Sequence, residues 1–231
     1  MKKSIIPLIV TLLIISSFWG CKKIKKHRIK QGVITYTITY DTPKSQNPVV
    51  ILLPKQMVLY FDNNKTSSQI QGYFGTFWVR FITLPDSNKK YTLVRILDNK
   101  YLYQTTLNGK NISSDEMKNL KVWLTDSTLT YKGLHCKVAK AYCPSVSKDT
   151  FDIIYTTDIA IKNPNAATPY AKIPGLILKS KLKLFNVVMN IDFKSLRKTQ
   201  VPPEMFEIPN NGYWKPVSRE KLEKLIKKLI K

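Results

Sequence analysis

The chain has 231 residues, 43% of them hydrophobic, with 38 Lys and Arg against 15 Asp and Glu. That apolar content excludes a disordered chain, and the length suits a targeting segment followed by one domain with a sizeable core. The formal charge of +23 favours anionic neighbours such as phospholipid headgroups, lipopolysaccharide phosphates or nucleic acid.

Met1-Lys2-Lys3 is a short basic start, and residues 5–18 form an apolar run too short to span a bilayer comfortably. Phe18-Trp19-Gly20-Cys21 follows. A charged start, an apolar run and a small residue before the cut describe a secretory signal. The cysteine directly after Gly20 resembles the lipobox of bacterial lipoproteins. There the thiol is lipidated, the peptide is cut before it and the new amino group is acylated. Several acyl chains then hold the protein to a membrane that one chain would bind only reversibly. Residues 1–20 are thus expected to be a lipoprotein signal peptide, and 21–30 a lipidated Cys21 with a tether. Cleavage removes Lys2 and Lys3 and lowers the charge by two, from +23 to +21. The tether, Lys22-Lys23-Ile24-Lys25-Lys26-His27-Arg28-Ile29-Lys30, suits anionic headgroups, each cation contributing about 1 kcal/mol near such a surface. A basic run after the cysteine, where surface-exported lipoproteins often carry an acidic one, predicts the periplasmic face of the outer membrane. Export argues against nucleic acid as a partner.

From residue 31 the chain reads as strands and turns. Residues 33–40, 55–61, 75–82, 91–97 and 100–105 alternate in polarity and are rich in β-branched and aromatic residues. Asp62-Asn63-Asn64 and Asp98-Asn99 look like turns, the second a tight hairpin. Val122-Trp123-Leu124 and Leu129-Thr130-Tyr131 are two short strand candidates. Residues 134–142, 150–156, 176–184 and 186–197 complete roughly ten strands with no long helix between them, which predicts a mainly β, antiparallel domain over 31–216. Residues 217–231 depart from this pattern. Leu222, Leu225, Ile226, Leu229 and Ile230 share one face of an amphipathic helix, with Ser218 placed to cap it. That face is expected to dock on the sheet or fray at the end of the chain, with a helix for a membrane surface or a partner as the alternative.

Met57-Val58-Leu59-Tyr60-Phe61, Gly133-Leu134-His135-Cys136-Lys137-Val138-Ala139-Lys140-Ala141, Ile154-Tyr155-Thr156-Thr157-Asp158-Ile159 and Ile173-Pro174-Gly175-Leu176-Ile177-Leu178 occur in this order. The order resembles the GLPGLI-type family of Bacteroidota envelope proteins, loosely over residues 32–210. The naming motif here lacks its first Gly-Leu, and Ile154 stands where Trp is usual. The resemblance implies kinship with the lipoprotein-carrier half-barrel, a curved antiparallel sheet covering an apolar groove. It implies no activity, catalytic residue or cofactor.

The residues themselves offer little chemistry. No Cys-x-x-Cys, HExxH, P-loop or Gly-x-Ser-x-Gly pattern occurs, and His135 stands alone outside the tether. No enzyme, metal or cofactor is expected. Cys136 and Cys143 on one strand would be about 23 Å apart at ~3.3 Å per residue, against the roughly 4.4–6.8 Å between Cα atoms that a disulfide needs. An oxidising periplasm keeps that disulfide open as the alternative. Pro174 and Gly175 read as a bend that feeds Leu176 and Leu178 into the sheet. Alternation puts Phe77, Val79 and Phe81 on one strand face; core packing is the default reading for them and for Leu176 and Leu178, and the lining of an apolar groove is the alternative. The expectation is a lipid-anchored envelope protein that binds or shuttles an apolar, acyl-type ligand. The alternative is a structural lipoprotein that docks envelope proteins through its basic surface.

Overall fold

The computed structural model describes residues 28–41, 48–72, 75, 77–112, 114–185, 187–209 and 212–229. Cys21, the signal segment and the tether as far as His27 lie outside them. Twelve strands form one open sheet. In chain order they are β1 (Gln31–Tyr40), β2 (Gln56–Asp62), β3 (Lys65–Gln71), β4 (Phe77–Leu84), β5 (Lys89–Ile96), β6 (Asn99–Thr106), β7 (Lys121–Tyr131), β8 (Leu134–Tyr142), β9 (Phe151–Thr156), β10 (Leu176–Leu184), β11 (Val187–Arg197) and β12 (Lys215–Pro216). Helix α1 spans Arg219–Leu229. Across the sheet the order is β12-β6-β5-β4-β3-β2-β1-β11-β10-β9-β8-β7, and every pairing is antiparallel except the short parallel contact of β12 with β6. β1 and β11 lie side by side in mid-sheet, so two hairpin series fan outwards from that pair.

The structure corrects the sequence reading in four places. β3, Lys-Thr-Ser-Ser-Gln-Ile-Gln, carries no apolar alternation, yet it pairs along its whole length with β2 and β4. Its neighbours impose the strand, and Ser67 is fully buried there. The two short candidates around Asp126 are one strand, β7, interrupted by a bulge between Leu124 and Thr128. Thr125 Oγ1 donates to Val138 O at 2.7 Å and stitches that bulge to β8. The β5–β6 turn sits one residue earlier than the Asp98-Asn99 signal, at Leu97-Asp98, with Leu97 in the left-handed region at φ 51°. The two-residue β12 has no periodicity to read. It exists because the C-terminal segment reaches the free edge of β6.

That segment wraps the sheet. After β11 it crosses beside β3 and β4, where Val201 and Phe206 are buried, and then adds β12 to the edge. Helix α1 then returns on the other face, where Leu222 and Ile226 join a core cluster with Ile38, Val79, Val94 and Met189. Further along the sheet a second cluster gathers Ile34, Phe61, Cys136, Ile154, Leu176, Leu178 and Phe193. The alternate residues of β9, Phe151, Ile153 and Tyr155, face a third cluster with Tyr170 and Ile173. β9 is therefore covered on both faces. The helix docks as expected, and Ser218 Oγ accepts from Lys221 N–H at 3.3 Å as its cap. Leu222 and Ile226 of its apolar face are buried in that contact. Among the described residues no helix is long and apolar enough to cross a membrane.

Candidate functional site

β4 supplies the base of an apolar cavity. Phe77, Val79 and Phe81 alternate onto one face, and Val79 stands opposite Val94 of β5 and Ile70 of β3. Val187 and Met189 enter from β11 and Ile226 from helix α1. Leu53 and Pro54 close the side, in a segment whose 3-10 turn buries Val50 and Leu53. The resulting cavity is about 50 Å³ and no charged side chain lines it. Tyr40 is the polar exception; its hydroxyl donates to Pro54 O, and burial pushes its phenol well above the ordinary range. Room for a water is not enough without polar partners to hold it, so the space is dry, and it is smaller than the ~150 Å³ that accommodates a benzene ring. Admitting a longer apolar chain requires helix α1 or the 48–54 segment to move.

Helix α1 is held over this cavity by its buried face and by surface ion pairs. Arg219 Nη1 and Nη2 both lie 3.1 Å from Asp115 Oδ2, and Lys227 Nζ is 3.9 Å from Glu116. Such pairs at the surface contribute about 0–1 kcal/mol each, so Leu222 and Ile226 dominate the attachment.

The five candidate groove residues are divided by the structure. Phe77, Val79 and Phe81 line the cavity; Leu176 and Leu178 do not. Leu178 is fully buried in the neighbouring cluster beside Phe61 and Phe193. Strand order, which no local pattern encodes, puts β10 and β4 on opposite sides of the central β1–β11 pair. The sequence reading missed Tyr40, Leu53, Met189 and Ile226 as lining. Only Ile226 had a signal, its place on the amphipathic face of the helix.

The other candidates are structural. Cys136 and Cys143 are buried free thiols in different clusters, on opposite faces of the sheet, so the disulfide left open above is not formed. Burial pushes the Cys136 thiol up. Gly175 passes so close to β9 that a Cβ would lie 2.4 Å from Thr156 O. Buried Asn165 fastens that bend, donating to Ile173 O at 2.9 Å and Gly175 O at 2.8 Å. The exposed His135 has one carboxylate beside it, Asp158, at 3.2 Å. Lys90 is buried and donates to Gly109 O at 3.0 Å and Ala166 O at 3.5 Å, and burial lowers its pKa. It ties two loops together. Among the described residues no group of His, Cys, Asp or Glu is arranged to hold a metal.

The class this architecture defines is a mainly β protein built on one open, antiparallel sheet with a docked C-terminal helix. No family model and no curated protein matches the chain. Two crystal forms of PNGF-II are similar to it, each at a TM-score of 0.52 and 14% identity over 87% of this chain. The chain spans only 33% and 34% of those two PNGF-II chains. A crystal structure of MucB aligns at a TM-score of 0.36 and 9% identity, over 80% of this chain and 60% of that one, which is too distant to carry an argument.

Proposed function

We propose that this is an envelope protein, held to a membrane by lipid on Cys21, whose sheet binds an apolar, acyl-type ligand where helix α1 now packs. The observation that carries the reading is the apolar cavity of about 50 Å³ at Phe77, Val79 and Phe81, covered by helix α1 and the 48–54 segment. A removable cover over an apolar floor suits a binder that exchanges its cargo. The Ile173 to Leu178 motif and its companions support a place near the GLPGLI-type envelope proteins, and the basic tether supports the periplasmic side of the outer membrane. A specific observation favours a second reading: Leu222 is fully buried, so the helix already fills much of the face. A permanently filled sheet suits a structural lipoprotein that docks envelope proteins.

Native mass spectrometry of the chain purified from its own membranes, followed by lipid extraction, separates the two. The expected result is a stoichiometric, non-covalent acyl-containing species, distinct from any chain carried on Cys21, that disappears in Val79→Trp. A ligand-free monomer that takes up no added fatty acid would move the function to docking.

A further inference from the structure

The register brings a set of distant loops to one end of the sheet. Tyr40 ends β1, Gln56 begins β2, Phe77 begins β4, Ile96 ends β5 and Asn99 begins β6, and all five lie at the same end of their ladders. The connections at that end carry side chains that folding leaves uncovered. Ile51 and Leu52 are 45% and 51% exposed in the β1–β2 connection, and Leu97 is 66% exposed in the β5–β6 turn. Tyr213, 70% exposed, sits just before β12 with Lys100 Nζ 5.3 Å from its ring centroid. Trp214 packs on Trp78 at 6.2 Å between centroids, and Arg80 lies 4.9 Å from the Trp78 ring.

Two of these features are costly to the isolated protein. An exposed leucine in a left-handed turn gains nothing from burial, and its backbone is one that Asn or Gly adopts at lower cost. In the 48–54 segment Val50 and Leu53 point into the core while Ile51 and Leu52 point out, so the segment is apolar on both sides. Protruding Leu and Ile, an aromatic belt of Trp and Tyr, and flanking Arg and Lys form the combination that suits a bilayer interface. There aliphatic tips enter the acyl boundary, aromatic rings sit at headgroup level and cations meet anionic lipid. Arg95 and Lys100 form no ion pair among the described residues, which leaves their charge to an external anion, whereas half-buried Arg80 reaches Gln69 Oε1 at 3.4 Å. Asp98, in the β5–β6 turn, forms no ion pair with them.

We propose that this rim, with Leu97 and Ile51-Leu52 as its inserting tips, docks the domain on an anionic membrane surface. β1 begins at the opposite end, where the tether arrives. The cavity lies under the same rim, but docking requires neither an occupied cavity nor a lipidated cysteine.

The test uses the full chain with Cys21→Ser, which removes the anchor, and an environment-sensitive thiol fluorophore at Leu97→Cys, Leu52→Cys or, as control, Ser87→Cys in the β4–β5 turn at the opposite end. Cys136 and Cys143 are buried and do not compete for the label. Vesicles of one part phosphatidylglycerol to three parts phosphatidylethanolamine are expected to raise the emission at Leu97 and Leu52 at least twofold and to leave Ser87 unchanged. Leu52→Asp with Leu97→Asp, both at exposed positions, should weaken vesicle binding at least tenfold at 0.5 M salt, where the chain's general charge is screened. No emission change at either tip, an equal change at Ser87, or undiminished binding of the double variant would each overturn the proposal.

Discussion

The helix-side core has two ends that close differently. Around Leu178 the cover is Ile159 and Ile161, from the connection between the adjoining strands β9 and β10, and Leu178 and Ile159 are almost wholly buried. Around Val79 the cover is Leu222 and Ile226, from the far end of the chain, with the 48–54 segment beside them, and a cavity of about 50 Å³ remains. A lid made by a strand's own connection is positioned by the strand register. A lid made by a helix distant in sequence must be shaped to a surface that other strands have built, and here a cavity remains.

The largest expected effect sits at the tight end. Leu178→Ala should cost about 3–5 kcal/mol, the upper part of the range for a fully buried leucine, because nothing nearby can collapse into the hole. Urea denaturation measures it, and a loss under ~1 kcal/mol would show that this end is loose as well. Filling sharpens the contrast. Val79→Ile adds one methylene where there is space and should stabilise by about 0.5–1 kcal/mol. Ala139→Val, at a fully buried position in the tightly packed third cluster, should destabilise by about 1–3 kcal/mol. Equal signs would mean that the cavity is not available to a side chain.

The smallest effect is a pH dependence at the margin of the tight end. Tyr131 donates to Asp192 Oδ1 at 2.7 Å, and Lys132 Nζ reaches the same oxygen at 2.8 Å. Partial burial, together with the bond to Asp192 and its charge, pushes the Tyr131 phenol up to about 12. The fold thus favours the neutral phenol. Its contribution is complete below the unfolded value of about 10 and is lost as pH rises through about 12. The stability gap between the wild type and Tyr131→Phe should accordingly narrow between pH 9 and pH 12. A gap that stays constant in urea titrations across that range would detach Tyr131 from Asp192.

Most of the strands were legible because their burial alternates locally. β8 and β10 begin and end where the turn residues and apolar alternation place them. β3 was not legible, because its polar residues form a strand only between β2 and β4. The Leu97-Asp98 turn was misplaced by one residue because the preferred turn residues, Asp98 and Asn99, lie one step later than the backbone reversal. For the cavity, Phe77, Val79 and Phe81 could be read as one face of one strand. Met189 and Leu53 could not, since their meeting depends on strand order.

By itself, then, the sequence determined the β class, the amphipathic C-terminal helix and the bend at Ile173-Pro174-Gly175. Each follows from propensity and periodicity within a few residues. The tertiary structure alone decided that Leu178 and Val79 belong to separate clusters, that the helix covers only the second, and that Ile51, Leu52, Leu97 and Tyr213 share one rim. Those relations join residues up to more than a hundred positions apart. They arise from the pairing order of the strands, which no window along the chain contains.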